Sequence, residues 1–203
     1  MNINDKTFKY KPPLIIHGPW GTGKTETILQ TICYLLREHL KIQLQAESEN
    51  ISRDLLPPQR ILLATLTNSA ADLCISKTLD KFVTNNPRVK LLRIMVPHRR
   101  INTIPQQVLK YCKSSEHLLA GQERSPLLPT IEEILNATLV LVTENCAIAA
   151  LLRNKDLYGK FTHIFIDEAA QSFEPSALGP LVLADPKTVV LLAGYEYISS
   201  ILY

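Results

Sequence analysis

Six short runs of apolar residues punctuate the chain: Leu14 to His17, Ile61 to Leu66, Val89 to Val96, Thr138 to Thr143, His163 to Ile166 and Val189 to Ala193. A strand with one wet face alternates apolar and polar positions, whereas a strand covered on both faces has no polar side to show. The runs therefore predict the strands of a sheet sandwiched between helices, and helical crossovers make such a sheet mostly parallel. The expected class is α/β, doubly wound, with helices on both faces. Between the first two runs, Ile28, Ile32, Leu35, Leu36 and Leu40 recur at helical spacing, which predicts an amphipathic helix over 24–40. The polar, proline-containing stretch 45–59 is expected to return the chain as a loop. An irregular insertion is expected at about 97–130, with four prolines between Pro97 and Pro129 and short helices near Gln106 to Cys112 and Glu116 to Ala120.

Length adds one constraint, because 203 residues suit a single well-buried core rather than two. A chain with 46% hydrophobic and 20% charged residues is neither disordered nor fibrous. The net charge of +3 is too small to argue for a polyanionic partner, so any nucleic-acid reading must come from motifs. Cys33, Cys74, Cys112 and Cys146 lie too far apart for a zinc knuckle or a small disulfide scaffold. Reduced thiols, no apolar stretch of membrane length and a polar start lead us to expect a soluble cytoplasmic protein, with the nucleus as the alternative.

The chemistry begins at Gly18-Pro19-Trp20-Gly21-Thr22-Gly23-Lys24-Thr25, which matches G-x-x-x-x-G-K-[ST] between a predicted strand and a predicted helix. Glycine lets successive backbone N–H groups converge on phosphates, and the helix start adds partial positive charge. Three of the chain's 7 glycines fall in this stretch, which argues against an incidental turn. Lys24 is expected on the β- and γ-phosphates and Thr25 on Mg²⁺. Trp20 is expected beside the nucleotide or on the surface. A second site follows His163-Ile164-Phe165-Ile166, where a strand delivers Asp167 and Glu168 at its C-terminal end. In this Walker B pattern Asp167 holds the metal and Glu168 orients or deprotonates water; the bland alternative is two acids that end a strand. The guanine-reading Asn-Lys-x-Asp is absent, since Asn154-Lys155-Asp156 places its acid one position early, so ATP is the expected nucleotide.

The run Asp167-Glu168-Ala169-Ala170-Gln171, with Glu174-Pro175 after it, resembles motif II of superfamily 1 RNA helicases of the nonsense-mediated-decay type. The segment 61–79 resembles their motif Ia, and 138–147 resembles a strand and turn used against the nucleic-acid backbone. Within that group the spellings GPWGTGKT, NSAADL and FTHIFIDEAAQ are most similar to the helicase-with-zinc-finger proteins. The resemblance implies the first RecA-like domain of a P-loop NTPase motor, with ATP and Mg²⁺ as cofactors and movement along single-stranded RNA, DNA being the alternative track. It puts Thr67, Asn68 and Thr143 on backbone phosphates. For Thr67 to Ser69 the bland alternative is helix capping, with Ser69 and Asp72 as a capping box before a helix starting near Ala70. For His98-Arg99-Arg100 a solvated basic surface is the expectation.

Two departures qualify what the resemblance implies. Motif III normally reads Gly-Asp-x-x-Gln-Leu, but here the chain reads Ala193-Gly194-Tyr195-Glu196-Tyr197-Ile198. The adenine-reading glutamine motif is expected to be missing, because only Met1 to Lys11 precede the first strand, and the second RecA-like domain with its arginine finger is expected to be absent. Alone, the chain is expected to bind ATP weakly, hydrolyse it slowly and unwind nothing. The competing readings are a binding module that regulates without turnover, and a nucleotide kinase.

Overall fold

A computed structural model of the protein describes residues 12–52, 55–96, 99–113, 126–151, 154–171 and 174–195. All the expected runs become strands: β1 (Leu14–His17), β2 (Ile61–Thr65), β3 (Leu91–Arg93), β4 (Leu139–Thr143), β5 (His163–Ile166) and β6 (Val189–Gly194). They form one sheet in the order β1-β6-β5-β2-β4-β3, and every pairing is parallel. The third strand is shorter than its apolar run: it is regular only over Leu91–Arg93, although Ile94 N–H still bonds the Leu141 carbonyl at 2.9 Å and Ile94 stays fully buried.

The unbroken apolar character of the central strands has the cause read from sequence. In β2, Ile61 and Leu63 point into one core while Leu62 and Ala64 point into the other. The first core is roofed by α1 (Lys24–Ser48) and by α2 (Asn68–Cys74), which continues through a π-helical turn (Ile75–Leu79) into α3 (Asp80–Asn85). On the far face sit α5 (Ile131–Asn136) and α6 (Glu144–Ala150), packed against α7 (Glu174–Leu181). The first helix expected in the irregular stretch forms as the short α4 (Gln106–Leu109) and ends three residues before Cys112, 110–111 being a turn; the second, at Glu116 to Ala120, lies outside the described residues.

Helix α1 corrects the sequence reading, since it runs eight residues past Leu40 and takes in the start of the expected loop. Side-chain pairs carry this polar extension, including Gln43 with His39 and Gln45 with Glu49. It stops at Asn50, whose φ of 55 supplies a left-handed terminus: Ile51 N–H bonds the Ala46 carbonyl at 2.8 Å and Asn50 N–H the Glu47 carbonyl at 3.1 Å. On the opposite face, α7 approaches α6 so closely that a Cβ at Gly179 meets Ile148 Cγ1 at 2.5 Å. Gly179→Ala is therefore expected to destabilise by about 1–3 kcal/mol through overpacking, despite alanine's better helix propensity. Urea unfolding of this variant alone and combined with Ile148→Ala checks it, the second change relieving the clash.

No helix among the described residues is long and apolar enough to cross a membrane. The four cysteines are free thiols.

Candidate functional site

The parallel order puts the C-terminal ends of β1 and β5 on the same edge with only β6 between them. That is the edge where open α/β sheets hold ligands. From β1 the chain enters the glycine loop, where Gly21 (φ 76) and Gly23 (φ 88) occupy the left-handed region that a Cβ penalises by about 1–2 kcal/mol. Lys24 is buried and folds back under this curl, its Nζ donating to the carbonyl oxygens of Gly18 at 2.9 Å and Pro19 at 3.1 Å. Both acceptors are neutral carbonyls. Trp20 is 65% exposed and faces outward, the second of its two expected places.

From β5 the chain delivers Asp167, and Thr25 Oγ1 donates to its Oδ2 at 2.7 Å. Residues 142 positions apart in sequence thus meet in one hydrogen bond. The other carboxylate oxygen, Oδ1, is buried without a hydrogen-bond partner. Burial pushes the Asp167 carboxyl above its ordinary range; the Thr25 hydrogen bond opposes this and the neighbouring Glu168 adds to it. Glu168 turns the chain with a φ of 59, an uncommon conformation for a residue with a side chain. Its carboxylate accepts from Gln171 Nε2.

Lys24, Thr25, Asp167 and Glu168 line one cleft of about 400 Å³. Its opposite wall is α2 and the π-helical turn, which bring Cys74 and Lys77 to the cleft. Neither was a site candidate in the sequence, where Cys74 counts only among the widely spaced cysteines and Lys77 is unremarked. Burial raises the Cys74 thiol to about 12, so it is not a nucleophile at neutral pH.

The three residues assigned to nucleic acid lie along the same edge in unequal settings. Thr67 is exposed and is itself the N-cap of α2, its Oγ1 accepting from Ala70 N–H at 3.1 Å. The helix therefore begins at Asn68, and Ser69 with Asp72 makes no capping box. Thr143 is 8% exposed and sits beside Thr65 in the β2–β4 register, so it offers little surface. Asn68 is half-buried, and its Oδ1 accepts from Arg93 Nη2 at 2.8 Å.

Arg93 is the residue that sequence reasoning missed. It ends β3 fully buried, with Nη1 on the Ile94 carbonyl at 2.6 Å and Nε 3.6 Å from Asp72. Asp72 also receives both Nη atoms of Arg99, at 3.2 and 2.5 Å. Arg99 is therefore an ion-paired residue and not the solvated one expected, because it answers a buried carboxylate; Arg100 is exposed, and His98 lies outside the described residues. Burial pushes the Arg93 guanidinium down from its ordinary value while Asp72 opposes the shift. An arginine stays charged nonetheless.

Against known proteins, the family model described as an AAA domain matches residues 4–125 and 122–194. The chain belongs to this AAA-domain family. It is 36% identical over 185 residues to the human "Probable helicase with zinc finger domain", covering 90% of this chain and 8% of that protein. To the mouse "3'-5' exoribonuclease HELZ2" it is 34% identical over 190 residues, covering 92% and 5%. To the mouse "RNA helicase Mov10l1" the identity is 29% over 184 residues, covering 90% and 13%. The AAA-domain chain therefore spans a small part of each relative's length. These matches agree with the resemblance to superfamily 1 RNA helicases, first RecA-like domain, carried by Gly18 to Thr25 and Asp167 to Gln171. At motif III, Tyr195 stands where that group has Asp, its ring 5.9 Å from that of His17; Glu196 to Ile198 lie outside the described residues.

Proposed function

We propose that this domain binds and hydrolyses ATP with Mg²⁺ as the first motor domain of a nucleic-acid-dependent helicase acting on single-stranded RNA. The observation that carries the reading is the Thr25 to Asp167 hydrogen bond, which joins the helix start after β1 to the acid after β5, the two segments that such chemistry requires. The donor set also fits the metal. A hydroxyl and a carboxylate held together, with one carboxylate oxygen buried and unpartnered, offer the hard oxygen ligands that Mg²⁺ prefers. Thr25 and Asp167 would hold the ion, which when bound neutralises charge developing on the phosphates.

The remaining steps belong to the chain. Lys24 exchanges two neutral carbonyls for phosphate oxygens, a gain in charge-assisted hydrogen bonding that favours triphosphate over an empty loop. The loop amides around Gly21 and Gly23 are oriented by their left-handed turns. Glu168, held by Gln171, takes a proton from the attacking water or orients it. Full turnover is assigned to a partnership with a second RecA-like domain that supplies an arginine.

The departure at Tyr195 favours one other reading, a module that binds nucleotide or RNA without turnover. Phosphate release by the purified protein, with ATP, Mg²⁺ and increasing single-stranded RNA, separates the two. RNA-stimulated release is expected. ATP binding with no release at any RNA concentration gives the site to the binding module, and transfer to a nucleoside monophosphate would make it a kinase.

A further inference from the structure

The Asn68 side chain has a direction that its sequence does not dictate. Arginine carries only donors, so the atom of the Asn68 amide that meets Arg93 Nη2 must be the carbonyl oxygen. The amide is planar and trigonal, so once Oδ1 is turned inward the NH₂ group points the other way. Among the described residues that Nδ2 has no hydrogen-bond partner, and it is not among the buried unpartnered atoms. It therefore faces solvent at the start of α2, next to the exposed Thr67, on the edge of the sheet that carries the nucleotide cleft.

Arg93 itself cannot turn to another task. It is fully buried, its Nη1 is tied to the Ile94 carbonyl, and its charge is matched by Asp72, which Arg99 grips from the other side. The guanidinium is a fixed plane, and fixing it fixes which end of the Asn68 amide looks out. Left alone, a half-exposed asparagine flips between presenting a donor and an acceptor. Only the donor suits an anionic oxygen.

We propose that Arg93 is a positioning residue that locks the Asn68 amide with its NH₂ outward, as a hydrogen-bond donor to a backbone phosphate of single-stranded nucleic acid. This rests on the reading of the domain as an RNA motor and names how its nucleic-acid grip is set from inside the core. A contact of this kind fixes the strand without reading its sequence.

The test uses Asn68→Asp. The carboxylate keeps an oxygen for Arg93, so the fold and the cleft are retained, but the outward group changes from a donor to a negative acceptor. Single-stranded RNA affinity, measured by fluorescence anisotropy, is expected to fall tenfold or more, while ATP affinity and thermal midpoint stay at wild-type values. Because an added carboxylate repels RNA even without a direct contact, Asn68→Ala, which removes the donor and adds no charge, accompanies it: RNA affinity is expected to fall at least threefold at unchanged ATP affinity, and full RNA affinity in Asn68→Ala overturns the proposal. Arg93→Lys supplies the second arm: a point charge in place of the planar fork retains ATP affinity but releases the amide, and RNA affinity is expected to fall at least threefold. Full RNA affinity in Arg93→Lys also overturns it. Failure of the underlying RNA reading is seen separately, as a wild-type protein that binds no RNA.

Discussion

Glu168→Gln is expected to leave ATP binding intact and to lower RNA-stimulated phosphate release by roughly a hundredfold to ten-thousandfold, the usual contribution of a positioned general base. The geometry explains why the two effects separate. The Glu168 carboxylate lines the cleft but, among the described residues, is not hydrogen-bonded to the side chains of Lys24, Thr25 or Asp167, the groups assigned to the phosphates and metal. Its own partner is Gln171, one helical turn on. The amide of glutamine keeps the size and one acceptor oxygen for that contact while removing the basicity. Nucleotide titration followed by single-turnover phosphate release checks both halves. A variant that hydrolyses at the wild-type rate would remove Glu168 from the role and leave the metal and loop to account for turnover.

Lys24→Ala acts at the other step. The ammonium is expected to contribute charge-assisted hydrogen bonds of about 1.5–3 kcal/mol, so ATP affinity should fall roughly tenfold to a hundredfold. Equilibrium binding of a fluorescent ATP analogue reads this directly, and unchanged affinity would mean that the side chain stays on the Gly18 and Pro19 carbonyls throughout.

The places of these residues in one cleft were legible in the sequence because each is written locally. A strand, a glycine loop and a helix in immediate succession define the Lys24 site, and an apolar strand ending in two acids defines the other. The six apolar runs were equally legible, since a strand between two cores must be apolar at every position, as Ile61 to Ala64 are. Where α1 ends was not. Apolar spacing fades after Leu40 because the helix is mostly exposed there, Ala46 apart, and its stop is set by the left-handed Asn50, a signal of backbone geometry and not of hydrophobicity. The ion cluster was hidden for a different reason. Asp72, Arg93 and Arg99 come from separate elements, and nothing near any one of them marks it as buried; Arg99 even lies next to another basic residue, which reads as surface.

That cluster supplies the largest expected effect on stability. Removing its one carboxylate with Asp72→Ala strands two guanidinium groups whose side chains are 0% and 12% exposed. An uncompensated buried charge of this kind typically costs about 3–5 kcal/mol, a large share of the roughly 5–15 kcal/mol that holds a domain together. Urea unfolding should show the midpoint falling with little change in slope, because the surface exposed on unfolding is nearly the same. The cost belongs to the broken pairing and not to the loss of an intrinsically strong bond. Taking three charges out of water is expensive, so replacing the whole cluster, Asp72→Leu with Arg93→Met and Arg99→Leu, is expected to restore most of the stability or exceed it. The two results together separate a cluster kept for stability from one kept for position. If the apolar replacement folds as well as the wild type yet loses RNA affinity, the charges are there to aim Asn68. Should Asp72→Ala instead cost less than about 1 kcal/mol, water reaches the two arginines and the cluster is not the closed unit that their burial implies.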